Sequence, residues 1–228
     1  MQRFFDFIFS AFALIFLMPL FISISIILFF SGEGEIFFLQ ERVGLNGNLF
    51  KLYKFATMLK NSPNIRTGTV TLKNDPRILP FGNFLRRTKI NELPQLLNIL
   101  RGEMSFVGPR PQTPRCFNAF SITCQKKIIK VKPGLSGIGS IIFRNEENVI
   151  GDQRNPHIFY DSVIMPYKGK LEEWYVNNIS IWLYFKVLFL TVWIIFFPQS
   201  EIVFKIFRNI PYPDPYLIKC IRKSHVRH

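Results

Sequence analysis

The sequence predicts an α/β, membrane-embedded chain: an N-terminal membrane helix broken at a proline, a small mixed helix/strand domain, and interfacial helices toward the C-terminus. Three observations carry this. The stretch Phe7 to Phe30 holds no charged residue and is long enough to enter a bilayer. Between residues 31 and 178, strand-like and helix-like patterns alternate, punctuated by Gly and Pro. A second apolar stretch, Ile179 to Phe197, leads into a basic tail. The expected division is therefore 1–30, 31–178 and 179–228.

Composition narrows the class. The 228 residues carry 29 Lys+Arg against 15 Asp+Glu, a net charge of +14, with 48% hydrophobic residues, 19% charged and 26 Phe. That apolar content excludes intrinsic disorder. Positive charge combined with abundant phenylalanine points to an anionic membrane surface as a partner. Nucleic acid is not expected, because no recognised binding module accompanies the charge. Cys116, Cys124 and Cys220 have no metal-type spacing, and their odd number reads as reduced thiols rather than a disulfide framework.

The first apolar run, FIFSAFALIFLMPLFISISIILFF, would form a helix about 36 Å long. It is too long for a signal-peptide core, and SGEGE after it offers no small-residue cleavage site. Pro19 removes a backbone donor near the middle and kinks the helix. Each half is about 17 Å, so the run is either a kinked single span or two halves that enter and leave by one face. Arg3 and Asp6 before it, and Glu33 and Glu35 after it, leave the orientation open.

Next, IFFLQERVG and NLFKLYKFATM read as strands joined at Leu45-Asn46-Gly47-Asn48, where Asn-Gly favours a tight hairpin turn. Asn61 to Asp75 is polar and reads as a loop. From Pro80, the spacing of Phe81, Phe84 and Leu85 predicts a helix. Ile90, Leu93, Leu96, Leu97 and Leu100 define another that ends near Gly102. Pro94 suits a first turn, so its start is expected near Asn91 or Glu92. There, Asn91 is either an N-cap with Glu92 complementing the dipole, or the pair faces a phosphate drawn to the helix end.

MSFVGPRP then predicts a strand running into a turn that presents Arg110 between two prolines, suited to bidentate phosphate binding or simply to the surface. VKPGLSGIGSIIFRNEENV adds a second Gly/Pro turn, followed by Arg144 beside Glu146 and Glu147. Lys126, Lys127, Lys130 and Lys132 form a basic run that faces lipid headgroups or solvent. The stretch from Ile179 to Phe197, with Lys186 inside it and Trp182, Tyr184 and Trp193 around it, reads as a helix in the headgroup plane or as a second span. Lys205, Arg208, Lys219, Arg222, Lys223 and Arg227 form a tail for anionic lipids or a solvated one. His157, His225 and His228 show no triad or metal pattern.

Taken together, QERVGLNGNLFKLYKFATM, NDPRILPFGNFLRRTKINELPQLLNILRGEMSFVGPRP, VKPGLSGIG and LEEWYVNNIS are similar, in that order, to the bacterial sugar transferases of the monotopic phosphoglycosyl transferase family. The similarity runs from RFFDF at the N-terminus to YVNNISIWL near residue 183. It implies transfer of a sugar-1-phosphate from a UDP-sugar to undecaprenyl phosphate or another polyprenyl phosphate, with UMP leaving and lipid-linked glycan assembly beginning. It further implies Mg²⁺, a re-entrant N-terminal helix with both ends cytosolic, and a catalytic domain on the cytosolic face of the bacterial inner membrane.

The same resemblance assigns residues. Asn91 holds the position of the family's nucleophilic Asp, and Glu92 that of its partner carboxylate and metal contact. Arg110 resembles the phosphate-binding Arg, and Arg144 is a second anion contact. Arg86 or Arg87 is the basic residue before the catalytic helix, Lys54 lies in a basic motif, and Glu172 matches a usual Asp. The amide of Asn91 is a poor nucleophile. Glu92 then acts as nucleophile or as base, or Glu146 or Glu147 supplies a carboxylate, or the chain is a non-catalytic scaffold of the same fold.

Overall fold

The structure, a computed structural model, describes residues 1–62, 75–151, 153–197, 202–207 and 209–226. Most of the expected loop at 61–75 therefore lies outside the described residues, as do Glu201, Arg208 and Arg227 of the basic tail. The chain divides into two compact units, Met1–Arg42 with Leu49–Met104, and Val43–Asn48 with Ser105–His228.

The first unit opens with α1 (Gln2–Phe16) and α2 (Met18–Ser31), bent by 61° at Leu17. Pro19 sits in the first turn of α2, where its missing N–H costs nothing and its ring ends α1 one turn earlier. The bend expected from Pro19 is present. No single described helix is long and apolar enough to cross a membrane, but this pair together has the length and composition. Phe4, Phe12, Ile15, Phe16, Ile26 and Phe30 stand exposed along it.

One face of α2 is buried. Phe21, Ile24 and Leu28 pack with Ile36, with Phe55 of β2 (Leu49–Phe55), with Phe81 and Leu85 of α3 (Pro80–Arg87), and with Ile90. β2 pairs with β1 (Phe37–Val43) through the expected turn. Asn46 and Gly47 both take positive φ, 58° and 80°, as an Asn-Gly hairpin turn requires.

The next segment departs from expectation. A 3₁₀ turn covers Ile90–Glu92, and the α-helix α4 begins only at Gln95 and runs to Arg101. Lys89 enters the left-handed region at φ 61°, which breaks continuity with α3. Asn91 is thus no cap. It sits in the 3₁₀ turn, and no side chain caps α4. The C-terminus is as expected, with Gly102 at φ 86°. α1 packs along α4, and the Arg3 guanidinium donates to the carbonyls of Ile99 and Leu100, the latter at 2.7 Å. A cation on the last carbonyls of a helix is well placed against its dipole.

In the second unit, β3 (Ser105–Val107) pairs in parallel with β4 (Gly134–Ser136), Ser105 opposite Gly134 and Val107 opposite Ser136. Past the strand ends, Gly108 N–H donates to the Ser136 carbonyl at 3.0 Å and Gly134 N–H to the Pro109 carbonyl at 2.8 Å. A Cβ on Gly134 would lie 2.1 Å from the Gly108 nitrogen, so only glycine permits this approach. α5 (Pro114–Asn118) and α6 (Ile122–Ile128) lie between the strands in sequence, with Thr113 and Ser121 as side-chain N-caps.

After β4 come α7 (Ile138–Ile142), α8 (Glu146–Gly151) and α9 (Pro156–Phe159), then a π-helical turn at Tyr160–Ile164 that runs into α10 (Met165–Asn177). α10 packs on α6 and α7 and fixes its end by a Tyr175 hydroxyl donated to the Val107 carbonyl at 3.1 Å. α11 (Ile181–Phe196) buries Leu183, Tyr184, Val187, Leu190 and Ile194, but exposes Trp182, Phe189, Val192, Ile195 and Phe196. Lys186 is on its exposed side. α12 (Ile202–Ile206) and α13 (Pro215–Val226) follow, α13 against α8.

Candidate active site

In the first unit the chemistry gathers where β2 meets the 3₁₀ turn. Asn98 ties α4, which follows that turn, to β2: its amide nitrogen donates to the Lys51 carbonyl at 2.8 Å and its oxygen accepts from Tyr53 N–H at 3.1 Å. Lys54 is thereby brought to Glu92, with Nζ 3.5 Å from Oε1 and side chains 19% and 13% exposed. Neighbouring Asn91 is 5% exposed, and its Oδ1 is buried with no hydrogen-bond donor among the described residues. A buried unpaired acceptor is costly and marks a place where a ligand donor or cation would be favoured. Arg86 lies half-buried near Met58 Sδ, at 3.8 Å, while Arg87 is exposed with no partner among the described residues.

In the second unit, Glu172 of α10 is 3% exposed. Its Oε1 accepts a long hydrogen bond of 3.5 Å from the Arg110 N–H, and its Oε2 is buried without a partner among the described residues. Gly139 of α7 makes room for it, since a Cβ there would stand 2.6 Å from Oε1. Burial pushes the Glu172 carboxyl up to about 7, against the Arg110 N–H and the charges of Lys168 and Arg110, which hold it down. At neutral pH this carboxyl is divided between its acid and its anion, as a group that gives or takes a proton should be.

Arg144 follows α7, half-buried and with no partner among the described residues; burial lowers its pKa. Glu146 is engaged by Lys168, in a short Nζ–Oε1 ion pair. Glu147 is half-buried on α8. Lys168 escaped the reading of the sequence altogether. It is 4% exposed, with its ammonium 5.2 Å from the Phe143 ring centroid and 5.5 Å from that of Tyr160. Its one local signal was the i, i+4 spacing to Glu172 on a helix. Elsewhere, Lys127 of the basic run pairs with Glu173 at 2.6 Å, while Lys126 and Lys130 are exposed.

No group of three His, Cys, Asp or Glu side chains lies together among the described residues. Glu92 and the adjacent Asn91 Oδ1 are hard oxygen donors of the kind that suits Mg²⁺ when substrate phosphates and water complete the shell.

The chain matches the family model described as "Bacterial sugar transferase" over residues 1–198, through both constellations. It is 33% identical over 190 residues to the UDP-glucose:undecaprenyl-phosphate glucose-1-phosphate transferase of Escherichia coli, covering 82% of this chain and 38% of that protein. Against the galactosyl transferase CpsE of Streptococcus agalactiae the identity is 37% over 169 residues, 70% of this chain and 34% of the relative. The exopolysaccharide production protein ExoY of Sinorhizobium fredii is 38% identical over 160 residues, 64% of this chain and 70% of ExoY. The chain thus spans about a third of the length of the two larger relatives and most of the smaller one. With the model running through nearly the whole chain and a relative of comparable size, the chain belongs to the bacterial sugar transferases.

Proposed function

We propose that this chain moves a sugar-1-phosphate from a UDP-sugar to undecaprenyl phosphate at a membrane surface. An oxygen of the lipid phosphate ends up bonded to the sugar-bearing phosphorus, the bond from that phosphorus to the bridging oxygen breaks, and UMP leaves with the oxygen. The observation that carries this reading is the seat of the charged corner. The segment bearing Asn91 and Glu92 runs into α4, which is packed on α1 and clamped by Arg3, so carboxylate and lysine are built on the apolar helix pair itself. A reaction between a soluble nucleotide and a lipid phosphate calls for that placement.

In this reading α1 and α2 form a re-entrant element with both ends on the cytosolic face of the bacterial inner membrane, and α11 and the basic tail rest on anionic lipids. Lys54, Arg110, Arg144 and Arg87 offset phosphate charge. Glu92 carries the chemistry in place of the neutral Asn91, as nucleophile or as base for direct attack by the lipid phosphate. Glu92 and Asn91 Oδ1 would hold a Mg²⁺, which supplies neutralisation of the diphosphate charge. The scaffold alternative gains nothing from the relatives, whose names describe transferases and a production protein.

The test is UMP release by the full chain in detergent with undecaprenyl phosphate, Mg²⁺ and a panel of UDP-sugars. Turnover by the native chain that Glu92→Gln abolishes supports the reading. Activity confined to Asn91→Asp would replace it by the scaffold. Turnover that survives Glu92→Gln would remove Glu92 from the chemistry.

A further inference from the structure

The second unit buries a charged assembly that the family match does not explain. Lys168 and Glu172 lie one helical turn apart on α10. The Lys168 ammonium is taken by Glu146 of α8 and walled by the Phe143 and Tyr160 rings in cation–π contacts. Burying a lysine this completely is expensive unless it is paired, and leaving either partner alone is worse. Such a pair fixes the place of a positive charge. What stands one turn further along is the Glu172 carboxyl, with one oxygen on the Arg110 N–H and the other buried and unpaired.

We propose that Lys168 is a positioning residue: locked by Glu146 and the two rings, its ammonium sets whether Glu172, beside Arg110, carries a proton. Deepening the transferase reading and resting on it for the role of Glu172, this places in Lys168 the control over when Glu172 gives or accepts a hydrogen bond to substrate.

Among the groups around Glu172, Lys168 is the buried cation on the same helix, one turn away. Cys124 on α6 is pushed by burial up to about 12 and stays neutral. Lys127 of α6 and Glu173 of α10 form a pair with side chains 40% and 25% exposed, so solvent screens it as it does not screen Lys168. Tyr160, in the π-helical turn, is pushed up by burial and by Glu146 and stays neutral. α7 brings Gly139 against this carboxyl and contains no titratable side chain, with Arg144 beyond its end. Arg110 is permanently charged. Both Lys168 and Arg110 bias Glu172 toward its anion, against burial.

The experiment reads the proton directly. Infrared spectra of the full chain in detergent, without substrate, are recorded from pH 5 to 9, and the titrating protonated-carboxyl band is assigned by its loss in Glu172→Gln. Lys168→Met, close in volume but uncharged, should raise the midpoint of that band by about one pH unit. Lys168→Arg should keep it near the native value. Glu146→Gln, which leaves the ammonium uncompensated, should lower it by a smaller amount. Shifts of opposite sign are not what a loss of packing would produce. In UMP release, the pH limb that reports Glu172 should move with the band. The proposal is overturned if the band persists in Glu172→Gln, if Lys168→Met leaves its midpoint in place, or if both substitutions move it the same way. A band that moves while the pH limb stands still overturns the role in turnover. An inactive chain whose band still shifts would instead count against the transferase reading alone.

Discussion

In the first unit, Glu92 holds Lys54 at 3.5 Å and keeps contact with solvent; in the second, Glu172 is sealed in, touching a backbone N–H and an empty glycine position. Each is a carboxylate near a cation, yet the surroundings do different things to them. Glu92 sits in a 3₁₀ turn beside Asn91, whose buried Oδ1 lacks a donor among the described residues, so that corner can take a ligand. Glu172 is carried by a long helix packed on two others, and its environment works on its proton rather than on its access. The lesson is that side chains of the same chemical type can be placed for different tasks by the element that carries them.

The largest effect should come from the open corner. Glu92→Gln keeps volume and loses charge, and a positioned acid, base or nucleophile is worth about 10²–10⁴ in rate. UMP release should fall by that factor, while the thermal midpoint stays close to that of the native chain, because the Lys54 pair is partly solvated. A loss under tenfold would erase the distinction drawn between the two carboxylates.

The sealed carboxyl should show itself in stability. Its folded pKa is raised from 4.5 to about 7, so the folded chain holds a proton that the unfolded chain has released. The stabilisation is therefore complete below about pH 4.5 and is lost as pH rises through about 7, amounting to about 3 kcal/mol. Thermal melts between pH 5 and 8 should show the midpoint falling as pH rises, and Glu172→Gln should flatten that slope. A slope unchanged by the substitution would place the pH response elsewhere.

Gly139→Ala sharpens the same point. The new methyl would meet Glu172 Oε1 at 2.6 Å and drive the carboxyl off the Arg110 N–H. Overpacking of this kind costs about 1–3 kcal/mol, read as a lower denaturation midpoint. Gly139→Ala combined with Glu172→Ala should recover most of it, since the obstructing atom is gone.

Much of this was legible beforehand because it was local. The bend follows from Pro19, the hairpin from Asn46-Gly47, the end of α4 from Gly102, and the Gly/Pro-rich turns after β3 and before β4 from their own residues. The start of α4 was misplaced because Pro94 is equally at home in a 3₁₀ turn leading into a helix, and nothing local announced Lys89 in the left-handed region. The Lys168 ammonium meets Glu146 and the Phe143 ring, both more than twenty positions away, and the parallel pairing of β3 with β4 spans a similar gap. Periodicity does not see such contacts. The Arg77–Asp75 ion pair, also buried and holding the Ser62 carbonyl at 2.8 Å, was missed for another reason: Ser62 and Asp75 lie in a stretch read only as polar loop, and Arg77 just past it.

The smallest effect tests whether the lysine at the open corner belongs to the fold or to the substrate. Lys54→Met removes one half of an ion pair that is 3.5 Å long and partly solvated, so stability should change by no more than about 1 kcal/mol. If Lys54 offsets phosphate charge, KM for the UDP-sugar should rise by about five- to tenfold with kcat within about threefold, the signature of uniform binding lost. Lys54→Arg should restore most of it. A fall in kcat with KM unchanged would mean instead that Lys54 acts through Glu92, fixing its geometry in the transition state. In that case the open corner, like the sealed one, would depend on a lysine that positions its carboxylate.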